Sequence, residues 1–78
     1  MRKAYRYTDE TSDKFWTIEH YEDALMVNYG KTGSIGRFQV KEYADADECE
    51  SQAQKLIAAK VKKGYVPWED YDFENRLY

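Results

Sequence analysis

The sequence predicts an α+β fold, in which a meandering antiparallel β-sheet of four or five strands carries one α-helix, at about residues 46–63, on one face. Two patterns predict it. In the first half of the chain, aromatic and β-branched side chains alternate with polar ones, which is the period of a half-buried strand. From Ala46 onward, apolar residues recur every three or four positions, which is the period of an amphipathic helix. Strands followed by a single helix are typical of an α+β domain.

Four segments have the strand pattern: "RKAYRYT", "KFWTIEHY", "ALMVNYG" and "RFQVKEY". Only a short turn at Glu22 and Asp23 separates the second segment from the third, so these two are predicted to form a β-hairpin. The buried face of the fourth segment is ambiguous, because Phe38 and Val40 favour one face and Tyr43 favours the other. A β-bulge would reconcile the two patterns.

The predicted helix carries signals at both ends. Asp45, followed three residues later by Glu48, fits a capping arrangement in which a side-chain oxygen accepts a hydrogen bond from a free backbone N–H. Gly64 is a stop signal, and the lysines before it suit the negative end of the helix dipole. Beyond Pro67 the chain becomes acidic and aromatic.

Length and composition restrict the function classes. The chain has 78 residues, enough for one small domain, and its net charge of −3 argues against a generally basic surface that binds any polyanion. The single cysteine, Cys49, excludes an internal disulfide and leaves a Cys-based metal site short of ligands. No segment approaches the roughly 20 apolar residues that span a bilayer. These features predict a cytoplasmic protein that holds no metal and no cofactor.

No group of residues predicts catalysis. Gly30, Lys31 and Thr32 match the end of a phosphate-binding P-loop. However, Leu25 occupies the position of the first P-loop glycine, and the segment leads into a strand instead of a helix. His20 is the only histidine, and the strand pattern places no serine or cysteine nucleophile beside it. The chain is therefore predicted not to be an enzyme.

The connection between the third and fourth strands contains three glycines spaced three apart: Gly30, Gly33 and Gly36. A wide turn with positive φ values explains the glycines but not the residues beside them. Tyr29 offers a ring that can stack on a sugar or base, and Lys31 and Arg37 offer charges that can meet phosphate. The alternative is a core tyrosine next to a solvated lysine, and the residues alone leave both interpretations open.

Taken in order, "KFWTIEHY", "MVNYGKTGSIGRFQ", "KEYADADE" and "AQKLIAAKVKKGY" resemble one family, the WGR domain, and in particular its small bacterial type. The resemblance covers about residues 2–66. It is carried by the combination of Phe15 and Trp16 on the second strand, the three glycines, and the basic end of the helix. The predicted organisation is thus a WGR-like domain at residues 1–66 followed by an acidic, aromatic tail at 67–78.

The resemblance implies a non-catalytic module. In the poly(ADP-ribose) polymerases that carry the domain, it contacts DNA near a strand break, with the motif aromatic residue on the sugar-phosphate end. By position, Tyr29 stands where the family has Trp, Gly30 is retained, and Lys31 replaces Arg. Tyrosine has a smaller stacking face, and lysine lacks the planar fork through which arginine makes two parallel bonds. Arg37 stands where glutamine is usual and adds a cation nearby.

Two functions follow as hypotheses. The first is a module that binds DNA ends or nicks, weakly and in a salt-dependent manner, through a loop site supported by a secondary basic patch. The second is a protein-interaction module that uses the aromatic sheet face or the tail at 67–78, which either folds back on the core or binds a partner. The loop site consists of Tyr29, Gly30, Lys31, Arg37 and Lys41, and the secondary patch consists of Lys60, Lys62 and Lys63.

Overall fold

A computed structural model of the chain describes residues 1–74. All neighbouring strands are antiparallel, in the order β4-β3-β2-β1-β5. The predicted α+β fold is therefore confirmed, whereas residues 75–78 of the predicted tail lie outside the described residues. The elements are β1 (Arg2–Thr8), β2 (Asp13–Tyr21), β3 (Ala24–Lys31), β4 (Arg37–Glu42), α1 (Ala46–Lys62) and β5 (Val66–Pro67).

The sheet has two distinct faces, because side chains alternate along each strand. On the face covered by α1, called the helix face, Trp16 lies opposite Tyr5 of β1, and Ile18 lies opposite Val27 of β3. Removing these side chains from water supplies the main stabilisation of the fold. The buried core consists of Tyr5, Trp16, Ile18, Leu25, Val27, Cys49, Ala53 and Ile57. The opposite side of the sheet is called the second face.

Helix α1 begins and ends close to where the sequence predicts. Asp45 Oδ1 accepts a hydrogen bond from Glu48 N at 2.7 Å, which satisfies a backbone N–H that the helix leaves free. After the helix, Gly64 adopts φ +107°, the left-handed conformation that ends many helices. Among residues 1–74, no helix has the length and apolar character needed to cross a membrane.

Strand β4 pairs with β3 without interruption over Arg37–Glu42, so no bulge is needed there. Phe38 and Val40 both lie on the second face, away from the helix. Tyr43 follows the strand and packs, half-buried, against the core on the helix face. The conflict in the sequence pattern arises because Tyr43 lies beyond the end of β4, whereas Phe38 and Val40 are exposed on the second face of the strand.

The segment after β5 covers part of the second face. Trp68 N donates to Ala4 O at 2.9 Å, which continues the pairing of β5 with β1. The described part of the tail therefore folds back onto the sheet. Three of its aromatic rings contact β1 and β2: Trp68 lies 4.9 Å from the Arg6 guanidinium carbon, Tyr71 lies 6.2 Å from the Phe15 ring, and Phe73 lies 4.5 Å from the Arg2 guanidinium carbon.

Asp13 joins β1, β2 and the connection at residues 32–36, which is called the glycine turn. This arrangement predicts that the stability of the domain depends on pH. Arg6 donates to both carboxylate oxygens at 3.0 and 2.9 Å, and Thr32 Oγ1 donates to one of them at 2.7 Å. These hydrogen bonds lower the pKa of Asp13 from 3.8 to about 2, and those from Arg6 have the largest effect. Because the folded-state pKa is depressed, the stabilisation is present above about pH 4 and is lost as pH falls through about 2.

We therefore expect the wild-type domain to lose stability relative to an Asp13→Asn variant as the pH is lowered through this window. Urea unfolding of both proteins at several pH values measures the difference. Subtracting the variant removes the contributions of the other carboxyl groups. A difference in unfolding free energy that stays constant between about pH 5 and pH 2 would contradict the assigned role of Asp13.

Candidate nucleic-acid interface

The glycine turn folds back against the end of β3. A Cβ atom on Gly36, whose φ is +76°, would lie 2.5 Å from the Tyr29 carbonyl oxygen and 2.7 Å from the Phe15 ring. A Cβ atom on Gly30 would lie 2.9 Å from the Gly36 Cα. Gly33 has φ +92° and open space around it. Two of the glycines are therefore required by the close approach of backbone segments, and the third only by its φ.

Asn28 holds the turn in place. Its side chain is fully buried, and Nδ2 donates to the backbone oxygens of Ile35 and Arg37, both at 3.0 Å. The amide thus fixes the path of the chain between β3 and β4. Asn28 was not among the predicted site residues. Its signal in the sequence is an asparagine, a residue disfavoured inside strands, placed directly before the glycine turn.

We expect Asn28→Ala to destabilise the domain by about 2 kcal/mol, because two carbonyl oxygens lose their donor and the side chain leaves a gap. Urea unfolding measures the change, and amide hydrogen exchange in the turn reports whether its path is released. The matched control is Gln39→Ala, since Gln39 is an exposed amide side chain on the neighbouring strand. Equal unfolding free energies for the two variants would show that Asn28 does not hold the turn.

Tyr29 lies on the helix face, half-buried, and packs against the core. It also lines a cavity of about 330 Å³ between α1 and the β3–β4 pair, called the first cavity. The Tyr29 ring therefore packs against the core and also faces an open cavity. It has the position of a core tyrosine and leaves a surface on which a ligand could stack. The other residues that line the first cavity are Trp16, Leu25, Val27, Gln39, Lys41, Leu56 and Lys60.

Lys60 lies between two cavities. Its Nζ is 5.8 Å from the centroid of the Trp16 ring and 5.3 Å from that of Tyr65. Burial lowers the pKa of Lys60, and the positive charges of Lys63 and Lys14 lower it further. The repulsion by Lys63 and Lys14 makes the potential at this ammonium group more positive, whereas burial acts by removing the charge from water. Lys60 also lines a second cavity of about 430 Å³, together with Tyr7, Asp9, Ser12, Lys14, Lys63 and Tyr65.

Asp9, the acidic residue that lines the second cavity, is engaged with neutral donors. Its carboxylate accepts hydrogen bonds from Thr11 N at 2.9 Å, Ser12 N at 2.7 Å and the Tyr7 hydroxyl at 3.0 Å. These hydrogen bonds lower the pKa of Asp9, and the one from the backbone N–H of Thr11 has the largest effect. In the part of the chain that the structure describes, no group of three or more His, Cys, Asp or Glu residues is arranged to hold a metal ion.

The lysine and arginine side chains on and beside the helix face have no acidic partner within residues 1–74, whereas His20 on that face lies 2.9 Å from a carboxylate oxygen of Glu50. On the second face, by contrast, Arg2 pairs with Glu19 at 3.5 Å and Arg6 pairs with Asp13 at 2.9 Å. Both of these arginines of the second face are thus paired with carboxylates, whereas the lysines of the helix face have no such pairing within residues 1–74. Within residues 1–74, no carboxylate lies within 4.0 Å of the charged groups of Lys14, Lys31, Arg37, Lys41, Lys60 and Lys63.

The structure brings part of the predicted loop site and part of the secondary patch together. Tyr29 and Lys41 of the loop site and Lys60 of the patch line the first cavity. Arg37 lies opposite Tyr29 across the β3–β4 pair and is exposed. Gly30 lies near the end of β3, opposite Phe15 of β2, and not in the turn where the sequence placed it. Members of the two predicted groups therefore line the same cavity.

The remaining predicted residues, Lys31, Lys62 and Lys63, do not line the first cavity. Lys31 is exposed at the end of β3, opposite Lys14 of β2. Lys63 lines the second cavity, whereas Lys62 is exposed and lines neither cavity. Lys14 and Trp16 were not predicted as site residues. The alternation along β2, combined with the hairpin register, is the signal that would have placed both on the helix face.

Comparisons with known proteins identify relatives of this chain. The uncharacterized protein YfeS of Escherichia coli (strain K12) is 51% identical over 78 residues, which are 100% of this chain and 32% of YfeS. Protein YehF of the same organism is 45% identical over 60 residues, which are 77% of this chain and 22% of YehF. The chain thus spans a third or less of the length of these relatives.

A solved structure also matches this chain in its fold. A crystal structure of a protein from Bacteroides fragilis matches with a TM-score of 0.85 and 46% sequence identity, covering 87% of this chain and 19% of that one. The family profile described as the WGR domain matches residues 1–72, which include all five strands and α1. The chain therefore belongs to the WGR domain family.

Proposed function

We propose that this domain is a non-catalytic module that binds nucleic acid at DNA ends or nicks through its helix face. The observation that carries the proposal is the set of lysine and arginine side chains on that face that have no carboxylate partner within residues 1–74. Binding of a polyanion depends on such charges, which neutralise phosphates. Because the net charge of the chain is −3, this positive region is a local feature.

Lys60 is a side chain whose charge a bound anion would stabilise. It is partly desolvated and repelled by Lys63 and Lys14, which together lower its pKa. A phosphate oxygen between these ammonium groups would replace the repulsion by charge-assisted hydrogen bonds. The rings of Trp16 and Tyr65 beside Nζ limit the exposure of the charge to water, which strengthens an interaction with phosphate.

Membership of the WGR family supports the same function, and the departures from the family motif predict how binding is distributed. Tyr29 in place of tryptophan offers less stacking area, and Lys31 in place of arginine makes a weaker contact with phosphate. Lys14 and Lys60 lie on the same face and add contacts that the motif does not include. We therefore expect weak binding, micromolar at best, with a strong dependence on salt.

The alternative function, a protein-interaction module, rests on the aromatic sheet face or the tail. The rings that made the tail a candidate, those of Trp68, Tyr71 and Phe73, lie against Arg6, Phe15 and Arg2 on the second face. A tail-mediated interaction would therefore require these contacts to break first. The helix face offers lysines that have no carboxylate partner within residues 1–74, and it does so without any such rearrangement, which is why nucleic-acid binding is the function we propose.

A titration with DNA at low salt tests the proposal. The probes are 5′-phosphorylated nicked, blunt and single-stranded DNA, and the readout is the amide signals of residues 29–37 in a nuclear magnetic resonance spectrum. We expect at least one of these DNAs to shift the signals. Tyr29→Ala and Lys31→Ala are expected to weaken binding, because they remove the stacking ring and a phosphate contact.

Two substitutions serve as matched controls. Tyr21→Ala removes an exposed tyrosine from the second face, and Lys55→Ala removes an exposed lysine from α1 that lines neither cavity. Both should leave DNA binding unchanged. Unmoved signals with all three DNAs, or equal losses in the control and test variants, would overturn the proposed function.

A further inference from the structure

We infer that the first cavity receives a single unpaired nucleotide, with its base inside and its phosphate near two lysines. This inference rests on the proposed nucleic-acid binding and names the part of the ligand that enters the domain. The nucleotide has two sources, a free nucleoside 5′-phosphate or the terminal nucleotide of a strand. Both present the same chemistry, which is a flat heterocycle joined to a phosphate.

The size and the apolar lining of the first cavity suit a nucleobase. Its volume of about 330 Å³ falls within the range of small-molecule sites, roughly 300–1,000 Å³. Leu25 and Val27 line it from β3 and Leu56 lines it from α1, while Trp16 and Tyr29 add aromatic rings. A base placed against these side chains would lose contact with water on its faces and gain stacking.

The polar groups of the cavity suit the other parts of a nucleotide. Lys41 comes from β4 and Lys60 from α1, so lysine side chains line the cavity from two different elements. Neither has a carboxylate partner in the part of the chain that the structure describes. Gln39 also lines the cavity, and its amide can both donate to and accept from the edge of a base.

The charge and the shape of the first cavity favour a nucleotide over an apolar ligand or a peptide. A neutral apolar ligand would leave both lysines without an anion, and a basic peptide would be repelled by them. An acidic peptide would neutralise the lysines but would not supply a flat ring for the space between Trp16, Tyr29 and Leu56. A nucleotide supplies the ring and the charge together. The domain should therefore prefer a DNA end that carries an unpaired nucleotide to an end that is fully paired.

Three hairpin DNAs with the same 5′-phosphorylated stem test this preference. One is blunt, one carries a single-nucleotide 5′ overhang, and one carries an abasic overhang. Free deoxyadenosine 5′-phosphate and 2-deoxyribose 5-phosphate test the free source with and without a base. Binding is followed through the Trp16 indole N–H and the Leu56 methyl signals, since both side chains line the cavity.

We expect the overhang hairpin to bind about tenfold more tightly than the blunt and abasic hairpins, because stacking of one base contributes on this order. Deoxyadenosine 5′-phosphate should shift the Trp16 and Leu56 signals, and deoxyribose phosphate should not. Leu56→Trp, which fills the cavity, should abolish the preference for the overhang hairpin. Lys41→Gln, at an exposed strand position that tolerates substitution, should weaken overhang binding, and Lys55→Gln should not.

The outcomes separate this inference from the proposed function. Equal affinity for the three hairpins, with no effect of deoxyadenosine 5′-phosphate, would overturn the inference and leave DNA binding intact. If no hairpin binds but the free nucleotide shifts Trp16 and Leu56, the proposed function is wrong and the cavity takes the free nucleotide. If neither DNA nor nucleotide binds, both are wrong. A preference that survives Leu56→Trp and Lys41→Gln would place the base elsewhere and overturn the inference.

Discussion

Gly36→Ala is expected to destabilise the domain by about 3 kcal/mol, the largest effect that we predict for a single methyl group. The new Cβ atom would lie 2.5 Å from the Tyr29 carbonyl oxygen and 2.7 Å from the Phe15 ring, in a residue whose φ is +76°. Backbone atoms form part of this contact, so a rotamer change cannot relieve it. Urea unfolding at neutral pH measures the loss of stability.

Gly33→Ala is the matched control within the same turn. Gly33 also has a positive φ, +92°, but a Cβ atom there would meet nothing within 4 Å. Only the conformational cost remains, so we expect a loss of about 1 kcal/mol. Losses of similar size in the two variants would mean that Gly36 is required only for its φ, and that the turn is not packed against β3 as described.

The second large effect is expected on nucleic-acid binding. We predict that a double variant, Lys14→Gln with Lys60→Met, weakens binding to 5′-phosphorylated DNA ends at least about tenfold at low salt, because two phosphate contacts are lost. The same variant should change the unfolding free energy by no more than about 1 kcal/mol. Methionine keeps the apolar stem of Lys60 on Trp16 and Tyr65, and removing the mutual repulsion of the lysines offsets the lost cation–π contacts.

The combination of weak binding and retained stability is what distinguishes a ligand-binding role from a structural one. Fluorescence anisotropy with labelled DNA measures affinity, and urea unfolding measures stability. Lys55→Gln, on the exposed side of α1, should alter neither quantity. If the double variant unfolds much more easily than the wild type, Lys14 and Lys60 serve the fold. If it binds DNA as tightly as the wild type, they do not contact phosphate.

Much of the fold was predictable because its signals are local. The alternation along β2 and β3, with Glu22 and Asp23 between them, specifies a hairpin, and the Asp45 and Glu48 pair specifies the start of α1. Both predictions depend on residues a few positions apart, and both agree with the structure. The clamp formed by Asn28 was not predictable in the same way, because its partners are carbonyl groups whose positions depend on the path of the turn.

The candidate site was only partly predictable for a related reason. Tyr29 was identified from its neighbours in the sequence, but its proximity to Lys60 depends on how α1 lies across the sheet. Lys14 is far from Tyr29 in the sequence and shares its face only through the register of β2 with β3. The packing of Trp68 on Arg6 depends on β5, a strand of two residues that is too short to leave a periodic pattern.

The most direct test of the central claim, that lysines of the helix face contact phosphates, is the salt dependence of DNA binding. The affinity for a 5′-phosphorylated DNA end is measured at several salt concentrations for the wild type, Lys60→Met and Lys55→Gln. We predict that Lys60→Met makes the slope of log K against log salt shallower by about 0.7–0.9, the value for one phosphate contact, and that Lys55→Gln leaves it unchanged. A slope that is the same for all three proteins would contradict the claim.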